Sequence, residues 1–162
     1  MKTILIALDY SRTAETVAKA GYELAKALNA QTVLLHVVAD PTYYSSLKYS
    51  PIFGFDNLSS INVIQTDTDD ELRIASSQYL SKLKQLLGDD TIQIVVKNGE
   101  CGETILSAAT ELNADIVVMG THSRRGFEKI LLGSIAEHVL RKSLIPVFII
   151  PIKIIEENDK KG

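Results

Sequence analysis

Five short apolar runs, separated by longer amphipathic segments, constrain this chain more than any other feature of its sequence. Four of the runs are nearly continuous in aliphatic residues, which is typical of strands buried on both faces of a sheet. Such strands are joined through helices in right-handed crossovers, and the helices cover both faces of the sheet. The pattern predicts an α/β protein with an open five-stranded parallel sheet. The predicted strands are Thr3–Leu8, Thr32–Val38, Thr91–Lys97, Asp115–Met119 and Pro146–Ile150, of which Thr91–Lys97 alternates and is expected at a sheet edge.

The segments between the runs carry apolar residues at steps of three and four, the spacing of one helix face. Two stretches fall outside this alternation. Asp40–Thr66 is long and rich in aromatic residues, and we expect it to act as a lid or as a partner contact. We expect one domain over residues 1–153, followed by a polar tail over residues 154–162. The predicted helices are Ser11–Leu28, Asp69–Leu87, Glu103–Leu112 and Ser134–Lys142, with Gly88 as a C-terminal stop.

Composition narrows the classes of partner. The chain has 162 residues and a formal net charge of −3, so as a whole it does not attract nucleic acid or an anionic membrane. No run approaches the roughly 18 consecutive apolar residues of a membrane-spanning helix. The single cysteine, Cys101, excludes an internal disulfide and suits a reducing compartment. We therefore expect a cytoplasmic protein with no nucleic-acid and no membrane partner.

The loop after the fourth strand is the most informative candidate site. Met119–Gly126 and Leu132–Ser134 lead from an apolar strand to the start of a helix, and they carry glycines and two arginines. Backbone N–H groups, arginines and a helix N-terminus are the groups that hold phosphate. Gly120 and Gly133 are expected to let the backbone come close to a ligand. This loop predicts a protein that binds a nucleotide.

Topology brings further residues to the same place. In open parallel sheets, ligands bind beyond the C-terminal strand ends where the winding reverses. If the first and fourth strands are neighbours, Asp9 and Gly120 face one crevice. There Asp9 can accept hydrogen bonds from a ribose or hold a divalent cation through water, and Val37 can present backbone groups to a base. Ser134 fits the N-cap of a Ser-x-x-Glu capping box, with its hydroxyl near the first free N–H groups.

The common catalytic motifs do not occur in the sequence. There is no Gly-x-x-x-x-Gly-Lys-Ser/Thr loop, no Gly-x-Gly-x-x-Gly after the first strand and no Gly-x-Ser-x-Gly elbow. Cysteine and histidine do not recur at metal-site spacings. His36 is expected to be a buried, hydrogen-bonded residue, and Cys101 a small apolar one. We predict no catalytic residues, and at most slow ATP hydrolysis.

Six blocks of the sequence are Ile4–Ser11, Leu34–Val38, Gly99, Ala114–His122, Leu131–Leu140 and Ile145–Ile150. The last two blocks together are highly specific. Through these blocks the chain, from Lys2 to Ile150, resembles the UspA-like universal stress protein family.

The resemblance implies a Rossmann-like fold of the adenine nucleotide α-hydrolase type, with strand order 3-2-1-4-5. The ATP-binding branch of the family carries Gly-x2-Gly-x9-Gly-Ser/Thr, and Gly120, Gly133 and Ser134 occupy its first, third and last positions. Ser123 stands where the second glycine belongs. The family commonly dimerises through its last strand, here Ile145–Lys153. By resemblance, Ala7, Leu8, Asp9 and Val37 would line the adenosine, Met119, Gly120 and His122 the ribose and phosphates, and Ser123, Arg124, Gly133, Ser134 and Ile135 the phosphates.

Two main functions remain open at this stage. The first is a regulatory module in the stress response that binds ATP or AMP, with Mg²⁺ as a possible companion ion. The second is an interaction protein of the same fold that acts without nucleotide, because Ser123 replaces a motif glycine. For either function we expect a homodimer with a further protein partner that the sequence does not identify.

Overall fold

The computed structural model describes residues 1–39, 69–121 and 132–152. The segment Asp40–Thr66, the tail over residues 154–162 and the loop residues His122, Ser123 and Arg124 lie outside these ranges. No helix within the described ranges is both long enough and apolar enough to cross a membrane. The elements in chain order are β1 Thr3–Ala7, α1 Ala14–Ala27, β2 Gln31–Val38, α2 Asp69–Leu87, β3 Gln93–Asn98, α3 Cys101–Glu111, β4 Ile116–Gly120, α4 Ser134–Lys142 and β5 Val147–Ile150.

The five strands form one parallel sheet in the order β3-β2-β1-β4-β5, as predicted. β1 lies at the centre, with Ile6 in register with Leu34 of β2 on one side and Val118 of β4 on the other. β3 occupies an edge, which confirms the expectation from its alternating sequence. The predicted neighbourhood of the first and fourth strands is therefore confirmed.

The core has two halves, one on each face of the sheet. The half under α1 and α2 contains fully buried side chains of β1, β2 and β4, among them Ile6, Leu34 and Val118. The half under α3 and α4 is built from the alternate residues of the same strands, such as Leu5 and Val117. Burial on both faces explains why these strands read as continuous apolar runs rather than as alternating ones.

Local hydrogen bonds move two helix starts away from the predicted residues. α1 begins at Ala14 rather than Ser11, because Ser11 N–H donates to Asp9 Oδ1 at 2.9 Å and the Ser11 carbonyl accepts from Ala14 N–H at 3.1 Å. α3 begins at Cys101, two residues before the predicted start, because the Glu100 carboxylate accepts from the backbone N–H of Glu103 at 2.8 Å. A carboxylate caps the second of these helices, whereas the first follows a turn that Asp9 and Ser11 form before its N-cap residue, Thr13.

Candidate functional site

The C-terminal ends of all five strands meet at one edge of the sheet, and the winding reverses between β1 and β4. The chain leaves β1 through α1 toward β2 on one side, whereas β4 and β5 lie on the other. Such a reversal opens a crevice at the strand ends where α/β proteins bind ligands. The structure therefore brings Asp9, which follows β1, and Gly120, which ends β4, to the same crevice.

Four of the predicted adenosine and phosphate residues pack in one apolar cluster on the face of α3 and α4. Val37 and Met119 are buried there, and Ala7 and Ile135 pack against them. Leu8 lies in the other half of the core, under α1 and α2. The α3–α4 side of the sheet is thus apolar up to the ends of β1, β2 and β4.

Asp9 supplies a negative charge at the mouth of the crevice. Its side chain is exposed, and Oδ1 accepts from Ser11 N–H at 2.9 Å. Within residues 1–39, 69–121 and 132–152, no group forms a hydrogen bond with the second oxygen, Oδ2. The backbone carbonyl of Asp9 accepts from the Tyr79 hydroxyl at 2.9 Å. The carboxylate is therefore anchored at one oxygen and open to a ligand at the other.

Gly120 has a packing role that the sequence motif did not indicate. It is the last residue of β4, in register with Ile150, and its φ is not positive. A Cβ atom there would lie 2.7 Å from Val17 Cγ2 and 3.3 Å from Ile152 Cγ1. Packing in the interior of the protein thus favours a glycine at this position, whether or not the backbone of Gly120 contacts a ligand.

The start of α4 differs from the prediction. Gly133, not Ser134, is the N-cap residue, with φ −72° and ψ 166°, and no side chain of the residues that the structure describes caps this helix. The prediction that Ser134 is the N-cap of a capping box is therefore wrong: Ser134 is the first helical residue. Its partner in the predicted box, Glu137, instead accepts from Arg141 at 2.8 Å. Because the Gly133 side chain offers no oxygen, the first N–H groups of α4 lack the usual side-chain acceptor.

Sequence reasoning missed a cluster of polar aromatic residues beside Asp9. His36 is 5% exposed, as expected for a buried histidine, and its Nδ1 forms a hydrogen bond with the Leu8 carbonyl at 2.9 Å. The Tyr10 ring lies 4.2 Å from the His36 ring and 4.7 Å from that of Tyr79, between centroids. The Tyr10 hydroxyl also forms a hydrogen bond with Ser76. No local signal marks this cluster, because its members come from three separate elements.

The side chains of the cluster (Tyr10, His36 and Tyr79) and of the nearby Cys101 are uncharged at neutral pH. Burial lowers the pKa of His36, and burial raises the pKa of both Tyr10 and Tyr79. Burial, together with the charges of Glu100 and Asp9, raises the pKa of Cys101 to about 11. The Cys101 thiol is therefore protonated at neutral pH and is not an activated nucleophile. In the part of the chain that the structure describes, no group of three or more metal-binding side chains comes together.

The fold defines a Rossmann-like α/β protein whose strand order reverses between β1 and β4. A model of the universal stress protein family matches residues 1–151. The chain is 30% identical to Universal stress protein MJ0577 of Methanocaldococcus jannaschii, over 94% of this chain and 96% of the relative. It is 28% identical to Stress response protein NhaX of Bacillus subtilis, over 91% and 96% of the two chains. This protein belongs to the universal stress protein family.

Solved structures agree with this family membership. The structure of MJ0577 is similar with a TM-score of 0.65 and 26% identity, over 94% of this chain and 97% of that one. The universal stress protein of Archaeoglobus fulgidus, solved in complex with dAMP, has a TM-score of 0.60 and 18% identity, over 93% and 98% of the two chains. At that identity the second likeness shows the fold alone.

Proposed function

We propose that this protein is a regulatory module of the stress response that binds ATP or AMP in the β1–β4 crevice. The observation that carries the proposal is the meeting of three unlike surfaces at one sheet edge. These are the apolar side of the sheet around Val37 and Met119, the exposed carboxylate of Asp9 and the N-terminus of α4. They match the base, the ribose and the phosphates of one adenine nucleotide.

The N-terminus of α4 is the proposed phosphate site. The N–H groups of the first helical turn have no carbonyl partner within a helix, and the helix dipole adds partial positive charge there. An anion placed against these groups is stabilised without any basic side chain. The proposed phosphate contacts are Ser123, Arg124, Gly133, Ser134 and Ile135.

The remaining contacts follow from the positions of the strand ends. We assign the adenosine to the edge formed by β1 and β2, and the ribose and first phosphate to the end of β4. A Mg²⁺ ion that accompanies ATP would meet Asp9 through a water molecule. The residues assigned to the adenosine are Ala7, Leu8, Asp9 and Val37, and those at the end of β4 are Met119, Gly120 and His122.

Relatives support an adenine ligand. The Archaeoglobus fulgidus protein was solved with dAMP, and another universal stress protein, with a TM-score of 0.55 and 19% identity, was solved with cAMP. Both ligands contain an adenine, a five-carbon sugar and one phosphate. This common part supports an adenine nucleotide as the ligand in the crevice of this protein, and we extend it to the ATP and AMP of the proposal.

Ser123 is the observation that favours a second function, an interaction protein that acts without nucleotide. If the backbone at this position needs a left-handed conformation, a serine costs about 1–2 kcal/mol more than a glycine. Since about 1.4 kcal/mol corresponds to a factor of ten in affinity, a micromolar site would weaken and still bind at millimolar ATP. We therefore rank nucleotide binding first.

We also propose a cytoplasmic homodimer that pairs through Ile145–Lys153. β5 is an edge strand, and an unpaired apolar edge invites association. Phe148 on this strand is 45% exposed, and Leu144 just before it is 99% exposed. Antiparallel pairing of two β5 strands would cover both side chains.

Titration calorimetry with ATP and Mg²⁺ tests the nucleotide proposal, and we expect binding in the micromolar range. The variant Ser134→Asp should weaken it by roughly tenfold or more, because its carboxylate repels the phosphates at close range. The same carboxylate favours the helix, since acids stabilise a first turn. Loss of binding in this variant therefore cannot be attributed to unfolding.

Gln85→Glu is the matched control, because it adds the same charge at an exposed position near the far end of α2. It should bind ATP like the unsubstituted protein. Absence of any heat with ATP, ADP and AMP in the unsubstituted protein would contradict the proposal and support the interaction protein. Equal weakening by both variants would show that net charge, and not the α4 N-terminus, controls binding.

A further inference from the structure

Two side chains from different elements hold consecutive backbone carbonyls just beyond the end of β1. His36 of β2 uses Nδ1 to contact the Leu8 carbonyl at 2.9 Å. Tyr79 of α2 donates its hydroxyl hydrogen bond to the Asp9 carbonyl at 2.9 Å. Leu8 N–H donates to the Leu35 carbonyl at 2.8 Å. The chain segment that carries the Asp9 carboxylate is thus fixed by β2 and α2 together.

These bonds replace the sheet ladder at the point where it stops. β1 ends at Ala7, and its register with β4 runs only from Ile4 to Ile6. Beyond that point the backbone is no longer paired with β4. The Leu8 carbonyl is buried and would cost free energy without a partner, whereas the Asp9 carbonyl lies at an exposed position. His36 and Tyr79 supply the missing donors.

The chemistry of His36 makes its bond to Leu8 a specific one. A carbonyl oxygen only accepts, so Nδ1 must carry the proton and donate. The other ring nitrogen, Nε2, is buried, and no residue within the described ranges forms a hydrogen bond with it. Burial lowers the pKa of His36, so the ring is neutral and its tautomer is set by the Leu8 carbonyl. Within the described residues, the buried His36 ring therefore forms one hydrogen bond, to the backbone carbonyl of Leu8 just after β1.

Tyr79 is held in place by the same cluster. Its ring packs 4.7 Å from the Tyr10 ring and 6.4 Å from the His36 ring, between centroids. Burial raises the pKa of Tyr79, so its hydroxyl keeps its proton and donates at all physiological pH values. Its acceptor, the Asp9 carbonyl, belongs to the residue whose exposed carboxylate accepts from Ser11 N–H through Oδ1.

From this geometry we propose that His36 and Tyr79 are positioning residues of the nucleotide site, which act by fixing the Leu8–Asp9 backbone and, through it, the Asp9 carboxylate. The inference rests on the proposed function. It adds that α2, through the Tyr79 hydroxyl, contributes to the affinity for the nucleotide.

Tyr79→Phe tests the proposal by removing one hydroxyl and leaving the packed ring. Calorimetry with ATP and Mg²⁺ should show about three- to tenfold weaker binding, the value of one well-positioned hydrogen bond. Tyr22→Phe is the matched control: the Tyr22 hydroxyl donates to Asp89 Oδ2 at 2.7 Å at the opposite end of the sheet. It should leave ATP affinity unchanged, even where urea unfolding shows a comparable loss of stability.

A background without the Asp9 carboxylate separates positioning from general stability. In Asp9→Ala, a further Tyr79→Phe change should not weaken ATP binding, because no carboxylate remains to be positioned. A second pair of variants tests His36. His36→Asn keeps an N–H donor near the place of Nδ1 and should retain affinity, whereas His36→Leu keeps volume without the donor and should lose it.

The outcomes of these experiments separate the positioning role of His36 and Tyr79 from the proposed nucleotide binding. Unchanged ATP affinity in Tyr79→Phe, or an equal loss in the Asp9→Ala background, would overturn the positioning role and leave the nucleotide site standing. Equal affinity of the His36→Leu and His36→Asn variants would overturn the role of His36. No ATP binding by the unsubstituted protein would overturn the proposed function itself and, with it, this inference.

Discussion

Two glycines of the nucleotide motif, Gly120 and Gly133, have different physical reasons to be glycine. The space where a Gly120 side chain would lie is filled by Val17 of α1 and by Ile152 after β5. Gly133 has an extended backbone at φ −72° and ψ 166°, a conformation open to any residue. A loss of nucleotide binding after substitution of Gly120 is therefore not by itself evidence of ligand contact.

We predict that Gly120→Ala destabilises the nucleotide-free protein by about 1–3 kcal/mol, the usual cost of overpacking a core. Gly133→Ala should cost about 0.5 kcal/mol, through the poorer preference of alanine for an N-cap. Urea unfolding followed by circular dichroism measures both values. A Gly120→Ala variant as stable as Gly133→Ala would mean that Val17 and Ile152 shift without strain.

At the level of single residues, the sequence predicted some site features and missed others for identifiable reasons. The burial of His36 and the nearness of Asp9 to Gly120 followed from strand pattern and topology. The Ser-x-x-Glu pattern predicted the N-cap at Ser134, whereas the N-cap is the preceding residue, Gly133. The pattern does not distinguish an N-cap from a first helical residue. Tyr79 was counted only as a member of an apolar stripe, since its bond to Asp9 spans 70 positions and leaves no local signal.

At the level of elements, one partly buried carboxylate, that of Asp89, joins α1 to the turn between α2 and β3. Asp89 Oδ2 accepts from the Tyr22 hydroxyl at 2.7 Å. Asp89 Oδ1 accepts from the Thr91 N–H at 2.8 Å and from the Thr91 hydroxyl at 2.6 Å. The turn that delivers the chain into the edge strand is thereby tied to a helix on the same face of the sheet.

These bonds make a pH-dependent contribution to stability. Hydrogen bonds from Thr91, then from Tyr22, lower the pKa of Asp89 below its ordinary value. A carboxyl group with a lowered folded-state pKa stabilises the protein above its unfolded pKa, and this stabilisation disappears as pH falls through the folded value. Stability from Asp89 is therefore present at neutral pH and lost in acid.

We predict that Asp89→Asn lowers the free energy of unfolding at pH 7 and that the gap to the unsubstituted protein closes as pH falls below about 4. Urea unfolding between pH 7 and pH 3 measures this gap. The neighbouring Asp90→Asn, which changes an exposed carboxylate, is the control and should show no such convergence. A constant gap at every pH would show that Asp89 acts only through neutral hydrogen bonding.

The existence and order of the elements were predictable, but their ends were not. Apolar runs identify strands because burial on both faces leaves no room for polar residues. The start of α1 shifted by three positions because Asp9 and Ser11 form a turn of their own. The start of α3 shifted by two because the Glu100 carboxylate caps it. End positions depend on single hydrogen bonds, which a periodic pattern does not contain.

At the level of the whole molecule, the two edges of the sheet present different surfaces. β3 begins and ends with the exposed polar residues Gln93 and Asn98. β5 has only four residues, and its Phe148 lies in register with Val118 while remaining largely uncovered. β5 is a short apolar edge, whereas β3, at the opposite edge, has polar ends. This difference favours pairing of two copies through β5.

We predict that Phe148→Lys converts the proposed dimer to a monomer, because pairing would place two lysine charges against each other. Multi-angle light scattering after gel filtration measures the mass. Ile74→Lys is the control, since Ile74 is 58% exposed on α2, beside the opposite edge. A monomeric mass for the unsubstituted protein would contradict β5 pairing, and so would a dimer that survives Phe148→Lys.

The central place of β1 has a consequence for how the protein is made. Thr3 N–H donates to Asp115 Oδ2 at 2.7 Å across 112 positions, and Asp115 N–H returns a bond to the Thr3 carbonyl at 2.8 Å. β1 leaves the ribosome before β4 and must therefore wait for it before the middle of the sheet can close, and such distant pairing is slow. During translation the β4-facing side of the apolar β1 stays unpaired until residue 116 and those after it have been made. A nascent chain stalled before residue 116 is therefore a species that needs a chaperone.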